Sequence, residues 1–117
     1  MWIKVAAVGL ALAVTCAVAD LAAAQRSQPK GNADSGRAVY IKDGCAQCHG
    51  REAQGGGSGP RLGPDPWAWE QFARYVRQPR GEMPPYGPKI LSDQELADMY
   101  AYVQSRPKPS RPVIPKS

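Results

Sequence analysis

The chain has 117 residues, of which 15 are Lys or Arg and 10 are Asp or Glu, so its formal net charge is +5. This length suffices for one domain and excludes a second. The contents of Gly and Pro, twelve residues of each, are well above average. So small a chain buries too little surface to be stable without a cross-link or a bound group.

The N-terminus predicts a secretory signal peptide, residues 1–24. A short positive start leads into an almost wholly apolar run, residues 5–18, which falls short of the ~20 residues that a membrane span needs. Small-residue cleavage patterns end at Ala24 and, as the alternative, at Ala19. We expect cleavage after Ala24, export to the periplasm and loss of Cys16 with the peptide. An uncleaved peptide would instead leave the chain attached to the membrane.

The sequence Cys-Ala-Gln-Cys-His at residues 45–49 has the spacing of a c-type haem attachment motif. A helical turn would set the thiols of Cys45 and Cys48 at the separation of the two porphyrin vinyl groups, and His49 would then reach the iron. Zinc would need four ligands, but His49 is the only histidine and no third cysteine survives processing. A thioredoxin-like motif would lie beside a βαβ pattern, which we do not find. The motif therefore predicts one haem c, covalently attached through Cys45 and Cys48.

A Gly-rich loop, residues 55–63, follows the motif. We interpret it as a loop that wraps the haem, because no helix-opening Lys-Ser or Lys-Thr of a phosphate-binding loop comes after it. A middle helix is predicted from Asp65, whose side chain can cap it, with Pro66 at the first helical position. The helix should run to about Gln78, where Pro79 ends it. A plain turn at Asp65 and Pro66 is the alternative.

A last helix is predicted to begin after Ser92 and to stop before Pro107. Residues 92–95, Ser-Asp-Gln-Glu, form a capping box, and Leu91 and Leu96 are placed as its hydrophobic staple. The apolar residues of this helix recur at i, i+3, i+4 and i+7: Leu96, Met99, Tyr100 and Val103. This spacing predicts a helix that packs one face into the core.

The second iron ligand has four candidates, because the chain has no second histidine: Met83, Met99, a lysine or an open site. Met99 falls on the packed face of the last helix, where a methionine is more often core filler than ligand. Met83 lies in a loop stiffened by prolines, which lowers the entropy lost on ligation. These considerations favour Met83 and keep the open site as the alternative.

The stretch 36–50, which ends on the haem motif, resembles the class I cytochromes c, small soluble electron carriers with His/Met ligation. The resemblance covers roughly residues 33–106. It implies an all-α fold with crossed N- and C-terminal helices, a middle helix and loops that wrap one covalent haem. Gly36 and Tyr40 match the family's helix-crossing residues. Tyr40 lies one residue further from the first cysteine than in mitochondrial members, and we expect Gly44 to absorb the shift.

The resemblance also implies roles for residues around the iron. Met83 is placed like the family's axial methionine, which makes His49 and Met83 the metal ligands. Residues 59–62, Gly-Pro-Arg-Leu, look like the loop whose proline carbonyl accepts a hydrogen bond from the ligand histidine. Pro60 would then fix the tautomer of His49, and Leu62 would contact the cofactor.

Three aromatic residues complete the expected site. Tyr75 is placed like a family tyrosine whose hydroxyl reaches the methionine sulfur. An ordinary aromatic residue on a helix face is an equally good interpretation of Tyr75. Trp67 and Trp69 are both candidates for the indole that donates to a haem propionate. The cofactor-binding residues expected are Cys45, Cys48, His49, Met83, Pro60, Leu62, Tyr75 and Trp69.

Residues 25–32 are interpreted as a polar lead-in, 33–106 as the cytochrome domain and 107–117 as a Pro-rich basic tail. The composition of the tail predicts a disordered extension, and a docking arm for an acidic partner is the alternative.

We therefore expect a soluble one-electron carrier in the periplasm, not an enzyme and without a nucleic-acid partner. Its donor would be a dehydrogenase or a quinol-oxidising protein, and its acceptor an oxidase or a reductase. Cations flanking the haem would steer it toward an acidic docking surface: Lys42, Arg51, Arg74, Arg77, Arg80 and Lys89. The alternatives are an open-site enzyme or gas sensor, and a subunit held permanently on a dehydrogenase or oxidase.

Overall fold

The computed structural model describes residues 28–109, and these form four helices joined by loops. The helices are α1 (Ala33–Lys42), α2 (Cys45–His49), α3 (Trp69–Arg77) and α4 (Asp93–Gln104). This part of the chain contains no strand, which confirms the prediction of an all-α fold. The predicted signal peptide and residues 110–117 of the predicted tail lie outside the described residues. Within the described range, no helix combines the length and apolar character needed to cross a bilayer.

Gly36 marks a very close approach of α1 to α4. A Cβ at this position would lie 1.9 Å from the carbonyl oxygen of Asp98, so only glycine lets the two backbones come this close. One turn later, Tyr40 is fully buried and packs against Tyr102, with ring centroids 5.2 Å apart. The Tyr40 hydroxyl donates to the carbonyl oxygen of Gly50 at 2.7 Å. The glycine and the tyrosine predicted at the helix crossing are therefore both in place.

Side chains cap α1 and α4 at their N-termini. The side chain of Asn32 accepts a hydrogen bond from the N–H of Ser35 at 2.9 Å. Ser92 and Glu95 form the predicted capping box: the Ser92 hydroxyl accepts from the Glu95 N–H, and the Glu95 carboxylate accepts from the Ser92 N–H. Each cap satisfies backbone donors that the helix cannot pair itself, and contributes about 1 kcal/mol.

The apolar face of α4 supplies much of the core, as its spacing predicts. Its buried residues are Leu96, Ala97, Met99, Tyr100, Tyr102 and Val103. Phe72 and Val76 add one face of α3, and Leu91 adds the predicted staple residue. The ring of Phe72 meets that of Tyr100 edge-on, with centroids 5.0 Å apart. This core forms one side of the cavity described below.

The middle helix begins later than predicted, and the prediction of a start at Asp65 is wrong. The first helical residue of α3 is Trp69, and the N-cap residue, Ala68, provides no side-chain cap. The Tyr100 hydroxyl donates to the carbonyl oxygen of Trp67 at 2.9 Å. This contact fastens the segment that precedes α3 to α4. The chain bends at Asp65, in agreement with the alternative of a turn.

Candidate haem-binding site

A cavity of about 690 Å³ is lined by residues from all four helices and from the loops on either side of α3. Its volume lies within the roughly 300–1,000 Å³ of small-molecule and cofactor sites. Most of the predicted site residues line it: Cys45, Cys48, His49, Pro60, Leu62, Tyr75 and Met83. The fold thus brings together side chains that are far apart in the sequence.

Two glycines frame the short helix α2. Gly44 is its N-cap residue, with φ 80°, and Gly50 is its C-cap residue, with φ 81°. A side chain would be strained in this left-handed conformation, so glycine is favoured at both positions. Gly44 allows the chain to turn sharply between α1 and Cys45. This is the position expected to accommodate the one-residue shift of Tyr40 relative to mitochondrial members of the family. As a result, α2 is a separate helical turn that presents Cys45, Cys48 and His49 to the cavity.

His49 is held by the Gly-rich loop. Its side chain is nearly buried, and its Nδ1 lies 2.8 Å from the carbonyl oxygen of Pro60. Because a carbonyl can only accept, Nδ1 must carry the proton, and Nε2 keeps a free lone pair for a metal. Gly59 makes this approach possible, since a Cβ there would lie 2.8 Å from Nδ1. The contact is the one that the family resemblance implies for Pro60.

The two cysteines of the motif lie in different environments. Cys45 is partly buried, whereas Cys48 is exposed. Burial, followed by the charge of Asp43, raises the pKa of Cys45 to about 11, so its thiol is neutral at physiological pH. No group of three or more His, Cys, Asp or Glu side chains in residues 28–109 is arranged to hold a metal ion directly. The donor set of two thiols, one imidazole and one thioether fits a covalently attached haem better than zinc.

Two methionines line the cavity, and they differ in their surroundings. Met99 is 3% exposed on α4, and its Sδ lies 3.7 Å from the Sγ of Cys45. Met83 is partly buried and lies in the loop between α3 and α4, where it packs against the edge of the core. Met99 therefore has the surroundings of a core residue, while Met83 as the ligand stays a prediction.

The family resemblance implies a contact of the Tyr75 hydroxyl with the Met83 sulfur, and the structure shows another partner for this hydroxyl. The Tyr75 hydroxyl donates instead to the carbonyl oxygen of Arg80 at 3.0 Å. A carbonyl is a stronger acceptor than a thioether, and this one lies at the start of the loop that carries Met83. Tyr75 lines the cavity through its ring and fastens the loop through its hydroxyl.

The two tryptophans proposed for the site lie in different places. Trp69 does not line the cavity, and its ring packs edge-on against Tyr100, with centroids 5.4 Å apart. Trp67 lines the cavity instead and is 51% exposed. Because α3 begins only at Trp69, that indole belongs to the helix–helix packing, and Trp67 remains in the preceding extended segment.

The predicted cations are not all available to a partner. The Nζ of Lys42 lies 2.8 Å from Glu95; this hydrogen bond raises the pKa of Lys42 and is the main reason why the pKa of Glu95 falls to about 2. Arg77 pairs with Asp93 at 2.7 Å. These two positive charges are therefore compensated within the domain.

Sequence reasoning assigned no part in the site to several residues that line the cavity. Arg61 is exposed at the cavity, and in the sequence only its position beside Pro60 indicates a role in the site. Phe72, Leu91 and Tyr86 also line the cavity, although each is equally typical of a core residue in the sequence.

Comparison with known proteins agrees with this site. Residues 31–103 match the family model described as cytochrome c oxidase, cbb3-type, subunit III. Two curated relatives are the cbb3-type cytochrome c oxidase subunits FixP of Sinorhizobium medicae (strain WSM419) and of Rhizobium meliloti (strain 1021), each 38% identical over 93 residues. The similarity covers 67% of this chain and 32% of each relative, so the chain spans about a third of the length of those proteins. No solved structure gives a significant match.

Proposed function

The chain belongs to the family of cbb3-type cytochrome c oxidase subunit III, and we propose that within it this chain acts as a soluble one-electron carrier between redox proteins of the periplasm. Membership makes it a class I-like monohaem c-type cytochrome that binds haem c covalently and has a role in electron transfer. Bound haem c supplies one-electron exchange between Fe(III) and Fe(II).

In this proposal Cys45 and Cys48 form the thioether bonds, and His49 and Met83 are the iron ligands. The observation that carries the proposal is the arrangement of His49, whose Nδ1 bonds to the Pro60 carbonyl so that Nε2 remains free for the metal. All four assigned side chains line a single cavity, although Met83 belongs to a different segment from the other three.

The walls of the cavity support a carrier. Leu62, Phe72, Val76 and Leu91 line it with apolar surface, which excludes water and lowers the local dielectric constant. A neutral thioether from Met83 favours Fe(II) in such surroundings and raises the reduction potential. If His49 and Met83 both bound the iron, no position would be left for a substrate, and electrons would exchange through the surface.

A second candidate is an electron-transfer subunit of an oxidase complex. It is favoured by the two relatives, which are subunits of a cbb3-type oxidase. In this arrangement the chain would itself catalyse no reaction but would belong to an enzyme, with other oxidase subunits as its permanent partners. The same site would serve both arrangements.

The ligation state tests the proposed carrier chemistry. The oxidised holoprotein should show the weak far-red sulfur-to-iron charge-transfer band, and the reduced holoprotein should resist carbon monoxide at neutral pH. Rapid binding of carbon monoxide by the native reduced protein would favour the open-site enzyme or gas sensor instead. Fractionation of the cells that produce it then separates the two arrangements, because a free carrier is recovered in the periplasmic fraction and an oxidase subunit with solubilised oxidase.

A further inference from the structure

Tyr86 fastens the middle of the loop that carries Met83. This loop joins α3 to α4 and occupies residues 78–92. The N–H of Tyr86 donates to the carbonyl oxygen of Val76 at 3.1 Å, and its carbonyl oxygen accepts from Nη1 of Arg77 at 2.9 Å. Its hydroxyl donates to the carbonyl oxygen of Asp43 at 2.9 Å. One residue is thus bonded through three groups to two separate parts of the fold.

The hydroxyl bond reaches the segment that attaches the haem. Asp43 is the C-cap residue of α1 and lies two positions before Cys45, where α2 begins. The ring of Tyr86 itself lines the cavity. Burial raises the pKa of its hydroxyl, which therefore stays protonated and able to donate at neutral pH. The bond joins the Met83 loop to the stretch that leads directly into α2.

Other bonds hold the two ends of the loop. The Tyr75 hydroxyl bonds to the carbonyl of Arg80 at the start, and Nη1 of Arg77 donates to the carbonyl of Leu91 at the end. These bonds connect the loop to α3, whereas the Tyr86 hydroxyl connects it to the α1–α2 junction. Removing that hydroxyl should free the loop from this junction while its attachments to α3 remain.

We propose that Tyr86 is a positioning residue for iron ligation: its hydroxyl holds the Met83 loop against the junction of α1 and α2, and so keeps Met83 within reach of the metal that His49 binds. The inference rests on the proposed role of Met83 as a ligand. Suppose that the Tyr86 hydroxyl bond forms only while Met83 binds the metal. Loss of this bond should then raise the fraction of molecules in which Met83 is detached by roughly three- to tenfold, as expected for one neutral hydrogen bond.

The test compares two variants of the holoprotein that each lose one phenolic hydroxyl. Tyr86→Phe keeps the ring; we expect carbon monoxide to bind to its reduced form roughly three- to tenfold faster than to wild type. When the pH is raised, the far-red band of its oxidised form should also disappear at a lower pH than the band of wild type. Tyr100→Phe is the matched control, because the Tyr100 hydroxyl donates at 2.9 Å to the Trp67 carbonyl, which lies in neither ligand-bearing segment. It should lower the melting temperature but leave both ligation readouts unchanged.

The outcomes separate the two levels of inference. Equal changes in the two variants would show that only general stability was lost, and would overturn the positioning role of Tyr86. An unchanged carbon monoxide rate in Tyr86→Phe, with the native far-red band present, would also overturn it and leave the proposed function standing. A native protein without the band would remove Met83 as the ligand, and both proposals with it.

Discussion

At the scale of single residues, the two methionines of the cavity show why position decides between a ligand and a core residue. Met99 is 3% exposed and lies on a helix whose neighbouring side chains fill the core. Its side chain belongs to that packed core, so drawing it toward a metal would leave a void. Met83 belongs to a loop and is only partly buried, so its side chain can reach the metal without emptying the core. The burial of the two side chains therefore agrees with Met83 as the ligand.

Replacing each methionine by alanine should separate ligation from packing. Met83→Ala should abolish the far-red band, admit carbon monoxide and lower the reduction potential, because the soft thioether stabilises Fe(II). Met99→Ala should keep the band but reduce the free energy of unfolding by about 2–5 kcal/mol, the usual cost of such a cavity. Visible spectra, redox titration and denaturant unfolding measure these effects. Loss of the band in Met99→Ala alone would reverse the assignment.

At the scale of helices, Glu95 connects the start of α4 to the end of α1. Its carboxylate accepts from the N–H of Ser92 in the capping box and from Nζ of Lys42, the last residue of α1, each at 2.8 Å. The bond from Lys42 is the largest cause that lowers the pKa of Glu95 from 4.5 to about 2, followed by the bonds from Ser92. The ionised form of Glu95 is therefore favoured by folding.

This shift gives a pH dependence with a definite sign. Because the folded pKa lies below the unfolded one, Glu95 stabilises the fold above pH 4.5, and the contribution is lost as the pH falls from 4.5 toward about 2. Glu95→Gln cannot titrate, so it should melt below wild type at neutral pH, and the two melting temperatures should converge in acid.

Glu70→Gln is the control for this prediction. Like Glu95, Glu70 lies in the first turn of a helix, but it is exposed and no ion pair is found for it in the described part of the chain. The difference in melting temperature between Glu70→Gln and wild type should not shrink to a comparable extent in acid. A constant gap between Glu95→Gln and wild type across the acid range would contradict the coupling of Glu95 to Lys42.

At the scale of the whole molecule, the distribution of charge bears on partner choice. The chain carries a formal net charge of +5, but Lys42 and Arg77 are neutralised in ion pairs. Arg61 and Arg80 are exposed and line the cavity, together with the acidic residues Asp65 and Glu82. A steering field toward an acidic partner would therefore come from the overall charge and from exposed arginines such as these, without the paired Lys42 and Arg77.

The rate of electron exchange with the physiological donor should fall as the salt concentration rises, because salt screens this field over ~8 Å at physiological ionic strength. The double variant Arg61→Glu, Arg80→Glu should flatten that dependence. Lys108→Glu with Lys116→Glu changes the net charge equally in the predicted tail and should have a smaller effect. Stopped-flow rates across a salt series measure both. A rate that is insensitive to salt, or rises with it, would exclude an acidic partner, and a larger effect of the tail variant would assign docking to the tail.

The sequence by itself determined the features that depend on neighbouring residues. The haem motif at residues 45–49, the capping box at Ser92 and the apolar face of α4 each lie within a few turns of chain, so spacing was enough to identify them. The family resemblance predicted the crossing of α1 and α4 at Gly36, and the structure shows that only glycine admits so close an approach there. The family resemblance correctly placed Pro60 beside the histidine.

Contacts between distant segments decided the rest. Asp65 and Pro66 are good helix-starting residues, yet α3 starts only at Trp69, and the Tyr100 hydroxyl bonds to the Trp67 carbonyl in the preceding segment. The cavity consequently receives Trp67 rather than Trp69. Tyr86 gave no signal in the sequence, because its hydrogen-bond partners lie on two different elements. Such bonds exist only once the helices have packed, and no spacing along the chain encodes which carbonyl a hydroxyl will meet.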